Sequence, residues 1–375
     1  MIPLTHEERE RYARHLLLPE IGVAGQERLK SATVAVVGAG GLGCPALQYL
    51  AAAGVGHLRV IDSDTIERSN LQRQILYDEA SVGQSKAAIA AARLRALNPS
   101  ITIDAHPVRL TAGNAHPLLT GCDLIVNGAD NFPTRYLVSD ASVLLGIPHV
   151  HGAIHRFAGE VSVFLPAGPC YRCLHPNAPA PGTVPSCAEA GVLGVLPGIV
   201  GTLQATEALK LLLGIGLPLA GRLLLFDATN MHFRELRLHR NAQCAACGDV
   251  PALTQLRDLP EVQCATGELI MREMTPPELK AKLDRGDDFV LIDVREPHEY
   301  ELCKIPSAIL IPLNTIPQRL SELDPEAEIV LQCRSGRRSA DALMFLQAHG
   351  FANLWNLKGG ILAWSDEVDP TVTKY

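Results

Sequence analysis

The chain has 375 residues, of which 47% are hydrophobic and 19% are charged, a composition that excludes disordered and fibrous classes. Domains commonly have about 100–200 residues, so a chain of this length is expected to form two or three domains. The net charge of −7 argues against a bulk nucleic-acid binder and against a polybasic membrane anchor, since both are basic. We therefore expect no nucleic-acid partner.

The N-terminal segment MIPLTHEERERYARHLLLPE mixes both signs of charge and lacks the apolar core of a secretory signal. The longest apolar run, GVLGVLPGIVGTL, contains Pro197 and is shorter than the roughly 20 residues that span a bilayer, so it predicts a buried helix pair. Ten cysteines with two C-x-x-C pairs favour metal and thiol chemistry over disulfides. We expect a soluble, cytoplasmic protein without a membrane partner.

The first 250 residues alternate between predicted helices and strands. A helix over about the first 30 residues places Tyr12, Leu16 and Leu17 on one face, and a helix over residues 45–53 follows the first strand. The predicted strands are 34–37, 57–64, 101–104, 123–127 and 148–152, followed by antiparallel segments within 161–166 and 222–238. This alternation predicts an α/β fold with a doubly wound, mostly parallel sheet.

The character of the sequence changes after Cys247. Residues 251–274 are irregular and are predicted to form a linker between a first domain, 1–250, and a second, 275–375. The second domain begins with a capped helix at MTPPELKAKLDRG, and strands are predicted at 289–294 and 328–333. About 100 residues fit a small α/β domain.

A glycine turn, Gly38-x-Gly40-x-x-Gly43, joins the first predicted strand to the next helix, and Asp62 ends the second strand. This is the Rossmann-like nucleotide fingerprint, in which phosphate lies at a helix N-terminus and an acid binds ribose. A tight turn without a ligand is the alternative interpretation. The motif alone does not distinguish a dinucleotide from ATP.

The loops that follow favour ATP. The segment IDSDTIERSNLQRQ supplies acids together with Arg73, a later helix begins near Lys86, and Asp130 and Asn131 follow the strand DLIVNGA. Two cations and a separate carboxylate suit a triphosphate with Mg²⁺, whereas hydride transfer has little use for them. Each residue alone is more often a solvated surface residue. Together, at strand ends on one edge of the sheet, they indicate a site.

Four segments, RYARHLLLPEIGVAGQERL, GAGGLGCPALQYLAAAGVG, IDSDTIERSNLQRQ and GQSKAAIA, closely resemble the molybdopterin-synthase and thiamine-sulfur-carrier adenylyltransferases, relatives of the ubiquitin-activating enzymes. The resemblance covers roughly residues 1–250. It implies that Asp62 holds ribose, that Asp130 coordinates Mg²⁺, and that Arg14 and Arg73 are catalytic, with Arg14 entering a partner's site in a homodimer. The implied nucleotide contacts are Gly41, Asp62, Ser69, Asn70, Leu71, Gln72, Arg73, Lys86, Asp130 and Asn131.

The two C-x-x-C pairs, Cys170 with Cys173 and Cys244 with Cys247, supply the four thiolates of a tetrahedral zinc site. Their wide separation also allows two unrelated pairs. The resemblance favours zinc, since the family carries a structural zinc at matching places. We therefore expect a zinc-tied extension of the sheet domain.

Cys187 lies in the polar loop TVPSCAEAGVLG ahead of the apolar run. A loop thiol near a helix start can be activated. The resemblance implies a crossover-loop cysteine with a thioester or acyl-disulfide role, and an incidental thiol is the alternative.

In the second domain, EIVLQCRSGRRSADAL places Cys333 at a strand end before a helix, close to Arg334, Arg337 and Arg338. Backbone amides, the helix dipole and these cations favour an anionic sulfur. A tyrosine phosphatase would need arginine where Ser339 stands. The loop, together with DVREPHEYE, resembles the rhodanese domain, in which the cysteine carries a persulfide. CKIPSA departs from the usual Gly-His-Ile-Pro-Gly-Ala, which we expect to affect a turn rather than the chemistry.

The two halves predict one enzyme: an adenylyltransferase and sulfurtransferase that uses ATP, Mg²⁺ and Zn²⁺. The resemblance implies that it adenylates the Gly-Gly carboxylate of a ubiquitin-like sulfur carrier protein and converts it into a thiocarboxylate. A persulfide donor such as a cysteine desulfurase would supply the sulfur. The alternatives are a modifier-activating enzyme that loads Cys187 for conjugation, an NAD-dependent oxidoreductase and a non-catalytic scaffold.

Overall fold

The computed structural model describes residues 2–178, 191–259 and 272–375. The chain divides into two compact units, Met1–Glu261 and Val262–Tyr375. Within the described residues, no helix combines the length and the apolar character needed to cross a bilayer.

The first unit contains an eight-stranded sheet and nine described helices. Its strands are β1 (Thr33–Val37), β2 (His57–Ile61), β3 (Thr102–His106), β4 (Leu124–Asn127), β5 (His149–His155), β6 (Ala158–Phe164), β7 (Arg222–Asp227) and β8 (His232–Arg237). Its helices are α1 (His6–Arg11), α2 (Ala13–Leu16), α3 (Gly22–Ser31), α4 (Gly43–Ala53), α5 (Lys86–Leu97), α6 (Ala112–Leu119), α7 (Phe132–Leu145), α8 (Tyr171–Leu174) and α9 (Leu196–Leu213).

The sheet has the order β3-β2-β1-β4-β5-β6-β7-β8. The pairings from β3 to β5 are parallel, and those from β5 to β8 are antiparallel. The predicted α/β fold with a mostly parallel, doubly wound sheet is therefore confirmed. Because β2 and β4 lie on opposite sides of β1, the glycine turn after β1 lies at the topological switch point, where open α/β sheets bind ligands.

From Leu196 onward the apolar run belongs to a single helix, α9, and the predicted pair of helices is not observed in the described residues. Pro197 lies in its first turn, where proline disturbs no intrahelical hydrogen bond. A Cβ built on Gly201 would lie 2.4 Å from the carbonyl oxygen of Leu42, so this glycine allows α9 to pack closely at the start of α4. The core of the unit lies between these helices and the sheet.

The N-terminal segment forms three short helices instead of one. Tyr12 is buried, and its hydroxyl accepts a hydrogen bond from Asn98 Nδ2 at 2.8 Å. Leu17 is 71% exposed, so the predicted common face of Tyr12, Leu16 and Leu17 is not observed. The helix is interrupted at Tyr12, whose ψ of 15° differs from helical geometry, and the residues beyond therefore leave the face predicted for a continuous helix.

The described residues after β8, up to Leu259, belong to the first unit and pack into it. Leu253, Leu256 and Leu259 each join a different apolar cluster, and an Asp258 carboxylate oxygen accepts the amide of Ala112 at the start of α6 at 2.8 Å. This part of the segment expected to be a linker is therefore held by apolar and polar contacts.

The second unit has a five-stranded parallel sheet of order β11-β10-β12-β13-β9. Its strands are β9 (Glu273–Met274), β10 (Val290–Asp293), β11 (Ile309–Leu310), β12 (Ile329–Gln332) and β13 (Leu354–Leu357). Its helices are α10 (Pro276–Arg285), α11 (Pro297–Leu302), α12 (Ile316–Arg319), α13 (Arg337–Ala348) and α14 (Gly360–Glu367). Apolar clusters cover both faces of the sheet, which is typical of parallel sheets.

Candidate functional site

The glycine turn between β1 and α4 is closely packed. Gly38 has a φ of +92°, and a Cβ built there would lie 2.9 Å from the carbonyl oxygen of Gly128. A Cβ on Gly43 would lie 1.9 Å from the Gly38 oxygen, so no other residue fits either position unchanged. The contact with Gly128 also brings the loop after β4, which leads to Asp130, against this turn.

Asp62 follows β2 and supports the glycine turn. Its two carboxylate oxygens accept hydrogen bonds from the amides of Ala39 at 2.7 Å and Asp64 at 2.8 Å. Burial raises the pKa of Asp62, although the charge of Lys86 opposes this shift. A carboxylate held at this point occupies the place of a ribose-binding acid.

Lys86 begins α5 and has a side chain that is only 8% exposed. Its ammonium lies 2.8 Å from the carboxylate of Asp64, and its amide donates to the Asp64 carbonyl at 3.0 Å. Asp64 is 65% exposed, so it supplies a counter-ion from the solvent side. A buried cation beside a glycine turn is suited to phosphate.

The predicted nucleotide-contact residues 69–73 begin within a short 3₁₀ turn, Arg68–Asn70, and continue beyond it. Asn70 is buried and its side-chain oxygen accepts the amide of Glu67, while the Arg73 guanidinium donates to the Ser69 carbonyl at 3.0 Å. A Cβ built on Gly41 would lie 3.7 Å from Arg73 Cγ, so Arg73 lies beside the turn. The other two predicted contact residues of this segment are Gln72, which approaches Gly194 near α9, and Leu71, which packs against the core.

The loop after β4 carries Asp130 and Asn131. Asp130 is exposed, and Asn131 is the N-cap of α7, where its side-chain oxygen accepts the amide of Thr134 at 2.9 Å. The capped helix fixes the direction in which the loop leaves the sheet. An exposed carboxylate at a strand end is an oxygen ligand of the type that Mg²⁺ uses.

The sequence placed Asp64 among the acids of this loop without a role, and it did not indicate Tyr77 or Arg135. The Asp64 carboxylate pairs with Lys86, the Tyr77 hydroxyl donates to the carbonyl of Ala39 at 2.8 Å, and the buried Arg135 donates Nε to the carbonyl of Ala129 at 3.0 Å. Through these contacts Tyr77 supports the glycine turn and Arg135 supports the loop after β4. No local sequence signal identifies Tyr77 or Arg135.

Arg14 and Cys187 are the two predicted catalytic residues of the first unit outside this arrangement. Arg14 lies on α2 with its side chain exposed. Cys187 lies outside the described residues.

The four predicted zinc ligands lie together: every Sγ of Cys170, Cys173, Cys244 and Cys247 is within 4.8 Å of the others. Two Sγ pairs join the two motifs: Cys170 and Cys244 are 3.5 Å apart, and Cys173 and Cys247 are 3.3 Å apart. Ligands about 2.3 Å from a tetrahedral ion are about 3.8 Å apart, so the cluster fits a metal ion. Such an ion would join α8 to the chain after β8.

Cys333 follows β12 and is 1% exposed. Its Sγ accepts a hydrogen bond from the Ser339 hydroxyl at 3.4 Å. The cysteine carbonyl accepts the amide of Ile361 at 2.9 Å, and a Cβ on Gly360 would lie 2.3 Å from that oxygen. Gly336, at a φ of +88°, caps α13. The predicted loop between a strand end and a helix start is present, and α14 supports it.

The three arginines of this loop differ in their partners. Arg338 makes two hydrogen bonds of 2.7 Å to the Glu299 carboxylate, whereas Arg334 donates to the main-chain oxygen of Tyr375 at 2.6 Å. Arg337 is exposed. In the CKIPSA segment, Ser307 has a φ of +70° at the position where rhodanese domains usually have glycine. The departure therefore falls on a turn.

The model of the ThiF family matches residues 12–246. The chain belongs to the ThiF family. The model of the rhodanese-like domain matches residues 275–367, so the resemblance is confirmed for both halves of the sequence.

Several known proteins align with the chain. It is 44% identical to "Probable adenylyltransferase/sulfurtransferase MoeZ" of Mycobacterium tuberculosis, over 99% of this chain and 96% of that protein. It is 41% identical to "Adenylyltransferase and sulfurtransferase MOCS3" of Mus musculus, over 99% and 88% respectively. It is 58% identical to "Sulfur carrier protein adenylyltransferase" of Thermus thermophilus, over 68% and 96%.

Among solved structures, E. coli MccB with ATP superposes with a TM-score of 0.56 at 22% identity, covering 65% of this chain and 75% of MccB. This likeness shows that the two proteins share a fold.

Proposed function

We propose that this chain adenylates the C-terminal carboxylate of a ubiquitin-like sulfur carrier protein and replaces the AMP with sulfur carried as a persulfide on Cys333. The observation that carries the proposal is the arrangement of Asp62, Lys86, Arg73 and the Asp130 loop around one glycine turn. The persulfide step rests on the strand-end cysteine loop of the second unit. The names of the MoeZ and MOCS3 relatives, which join the same two activities, support it.

In the first step, a carrier carboxylate oxygen attacks the α-phosphorus of ATP, the bond to the bridging oxygen breaks, and pyrophosphate leaves with the electron pair. Lys86 and Arg73 would neutralise the phosphates while the glycine turn and Asp62 fix the nucleotide. Asp130 would hold Mg²⁺, which neutralises phosphate charge when bound. No nucleophile of the protein is required, so positioning and charge account for the rate.

In the second step, the terminal persulfide sulfur attacks the carbonyl carbon of the acyl adenylate, and AMP leaves. A second thiol then cleaves the sulfur–sulfur bond and releases the carrier thiocarboxylate, and we assign this thiol to Cys187. A cellular thiol reduces the remaining disulfide, and a persulfide donor such as a cysteine desulfurase recharges Cys333. This thiol chemistry requires a reducing compartment, so we propose a cytoplasmic location.

We also propose a homodimer in which Arg14 reaches the partner's nucleotide. Arg14 is exposed on α2, and the neighbouring Leu17 and Leu18 present exposed apolar side chains to the surroundings. An apolar surface beside an unburied cation is suited to an interface that carries the arginine into a second copy. In the cysteine cluster we propose Zn²⁺, because four thiolates in this geometry are its usual structural site.

The test of adenylation is ATP–pyrophosphate exchange with a panel of Gly-Gly-ending sulfur carriers and a control without carrier. We expect exchange that depends on the carrier and that Asp130→Ala abolishes. Glu10→Ala, which removes an exposed carboxylate on α1, is the matched control and should leave exchange unchanged. Exchange by a folded Asp130→Ala variant at the wild-type rate would exclude Asp130 from the site. ATP binding without exchange for every carrier would favour the scaffold alternative.

The test of sulfur transfer is mass spectrometry of the full chain after incubation with thiosulfate. Attack of the Cys333 thiolate on the outer sulfur releases sulfite and leaves a persulfide, which adds about 32 Da. The Cys303→Ala variant should gain the same mass, whereas Cys333→Ala should gain none. A gain by Cys333→Ala would place the persulfide on another cysteine.

A further inference from the structure

A network of buried charges lies under the Cys333 loop in the second unit. Arg295 is fully buried and donates to both oxygens of Asp293, at 2.9 and 2.6 Å. Glu299, also buried, accepts two hydrogen bonds from Arg338. Buried ions persist only when paired in this way, so these groups form a rigid base for the residues above them.

Tyr375 connects the two pairs of this network. Its hydroxyl accepts a hydrogen bond from Arg295 Nη1 at 2.6 Å and donates one to Glu299 Oε1 at 2.9 Å. Both hydrogen-bonding functions of the phenol are therefore satisfied by charged groups, which make the stronger hydrogen bonds. This fixes the position of the ring and of the main chain at residue 375.

The ring and main chain of Tyr375 in turn hold Arg334, the residue directly after Cys333. The Arg334 guanidinium carbon lies 5.6 Å from the ring centroid, within cation–π range, and Arg334 Nε donates to the Tyr375 main-chain oxygen at 2.6 Å. Arg334 is partly exposed, whereas the sulfur beneath it is almost completely buried. Two directed contacts thus orient the arginine at the edge of the loop.

We propose that Tyr375 is a positioning residue for sulfur transfer, which holds the Arg334 guanidinium where an anionic sulfur donor approaches Cys333. The proposal rests on the proposed sulfurtransferase function. An arginine whose rotamer is fixed in advance binds an oxyanion with a smaller loss of side-chain entropy than one that moves freely in solvent. Loss of Tyr375 should therefore weaken donor binding more than it slows the chemical step.

The test uses the full chain with thiosulfate as donor and cyanide as acceptor, and compares Tyr375→Ala, Tyr375→Phe and Lys374→Ala. We expect Tyr375→Ala to raise KM for thiosulfate about tenfold while kcat stays within about twofold, as for loss of uniform binding. Tyr375→Phe keeps the ring and main-chain oxygen that contact Arg334, so its KM should stay within about threefold. Lys374→Ala, whose side chain pairs with Asp366, should match the wild type.

Fluorescence of Trp355 and Trp364, both in the second unit, verifies folding of each variant. An unchanged KM in folded Tyr375→Ala, or a KM rise in Tyr375→Phe as large as in Tyr375→Ala, would overturn the role of the ring contact. A higher kcat/KM in Tyr375→Ala would also overturn it and indicate a blocking segment. If wild-type Cys333 gains no persulfide, the proposed sulfurtransferase function itself fails, whatever the variants do.

Discussion

The two units hold the cations of their candidate sites in different ways. In the first, Lys86 is buried but its counter-ion, Asp64, faces solvent, and Arg73 donates to a main-chain oxygen. In the second, Arg338 is paired with a buried carboxylate and Arg334 is fixed by Tyr375. A site for a polyanion that arrives and leaves needs cations whose partners exchange. A site that acts on a sulfur carried by its own cysteine can keep its cations in fixed pairs.

The two units also differ in the partners of their buried titratable side chains. The described part of the second unit pairs its buried Asp293 and Arg295 directly. The first unit buries His149 with neither ring nitrogen hydrogen-bonded within the described residues, stacked on Phe164 with ring centroids 4.9 Å apart. Its cysteine cluster could hold a metal ion, which would be an additional cross-link. The comparison therefore predicts that acid and chelators affect the first unit before the second.

Removal of the proposed zinc ion gives the largest expected effect. Structural zinc contributes roughly 10–16 kcal/mol of binding energy in isolated zinc fingers, so we expect Cys244→Ser to destabilise the first unit by at least about 3 kcal/mol. Cys122→Ser changes a buried cysteine outside the cluster and is the matched control. The measurements are zinc content and calorimetric unfolding of the first unit. Tryptophan fluorescence, which reports only the second unit, should not change.

Lys86→Met should give the next largest effect, a loss of about 10²–10³-fold in carrier-dependent ATP–pyrophosphate exchange, because it removes a preorganised cation from the phosphates. Arg93→Met is the matched control: it lies on the same helix and also pairs with an aspartate, Asp78, but is exposed. Thiosulfate turnover should not change in either variant. Equal losses of exchange in both would show that the helix, not the cation, is responsible.

Acid should destabilise the first unit through His149. Burial, with a smaller contribution from His151, lowers the pKa of His149 to about 3 from an ordinary value of 6.5. Between these values the unfolded chain binds a proton that the folded chain does not, so the free energy of unfolding falls as pH decreases below 6.5. The expected slope is about 1.4 kcal/mol per pH unit for this imidazole.

His149→Phe should remove that share of the slope, while the exposed His6→Phe should not. The measurement is calorimetric unfolding of the first unit between about pH 7 and about pH 5, the range in which an ordinary histidine titrates. An unchanged slope in His149→Phe would mean that the buried ring is protonated in the folded protein.

Ser307→Gly gives the smallest expected effect, a stabilisation of the second unit by about 1 kcal/mol or less. A left-handed conformation costs a non-glycine residue about 1–2 kcal/mol, and the greater freedom of glycine in the unfolded chain offsets part of the gain. Denaturation followed by tryptophan fluorescence measures it. Asn314 does not have a positive φ, so the control substitution Asn314→Gly should not stabilise the second unit. Destabilisation by Ser307→Gly would show that the serine makes a compensating contact.

The sequence predicted features that depend on local pattern. Buried runs of Val and Ile identified β1 and β4, and the C-x-x-C spacing identified a cluster whose sulfurs lie together. It did not predict the brace of Tyr77 under the glycine turn or the docking of Tyr375 beside Cys333. Such contacts join residues far apart in the chain, and their side chains have no motif, because burial and partner are set only by the folded sheet.

The pair between Lys86 and Asp64 has a consequence for turnover. Leaving the buried Lys86 ammonium without a counter-ion would cost much free energy. Displacing the Asp64 carboxylate costs little, because it already faces water. An incoming phosphate can therefore take the place of Asp64, and Asp64 can return when pyrophosphate departs. We expect the Asp64 carboxylate to compete with pyrophosphate for Lys86. The site can then release pyrophosphate while the buried ammonium keeps a counter-ion.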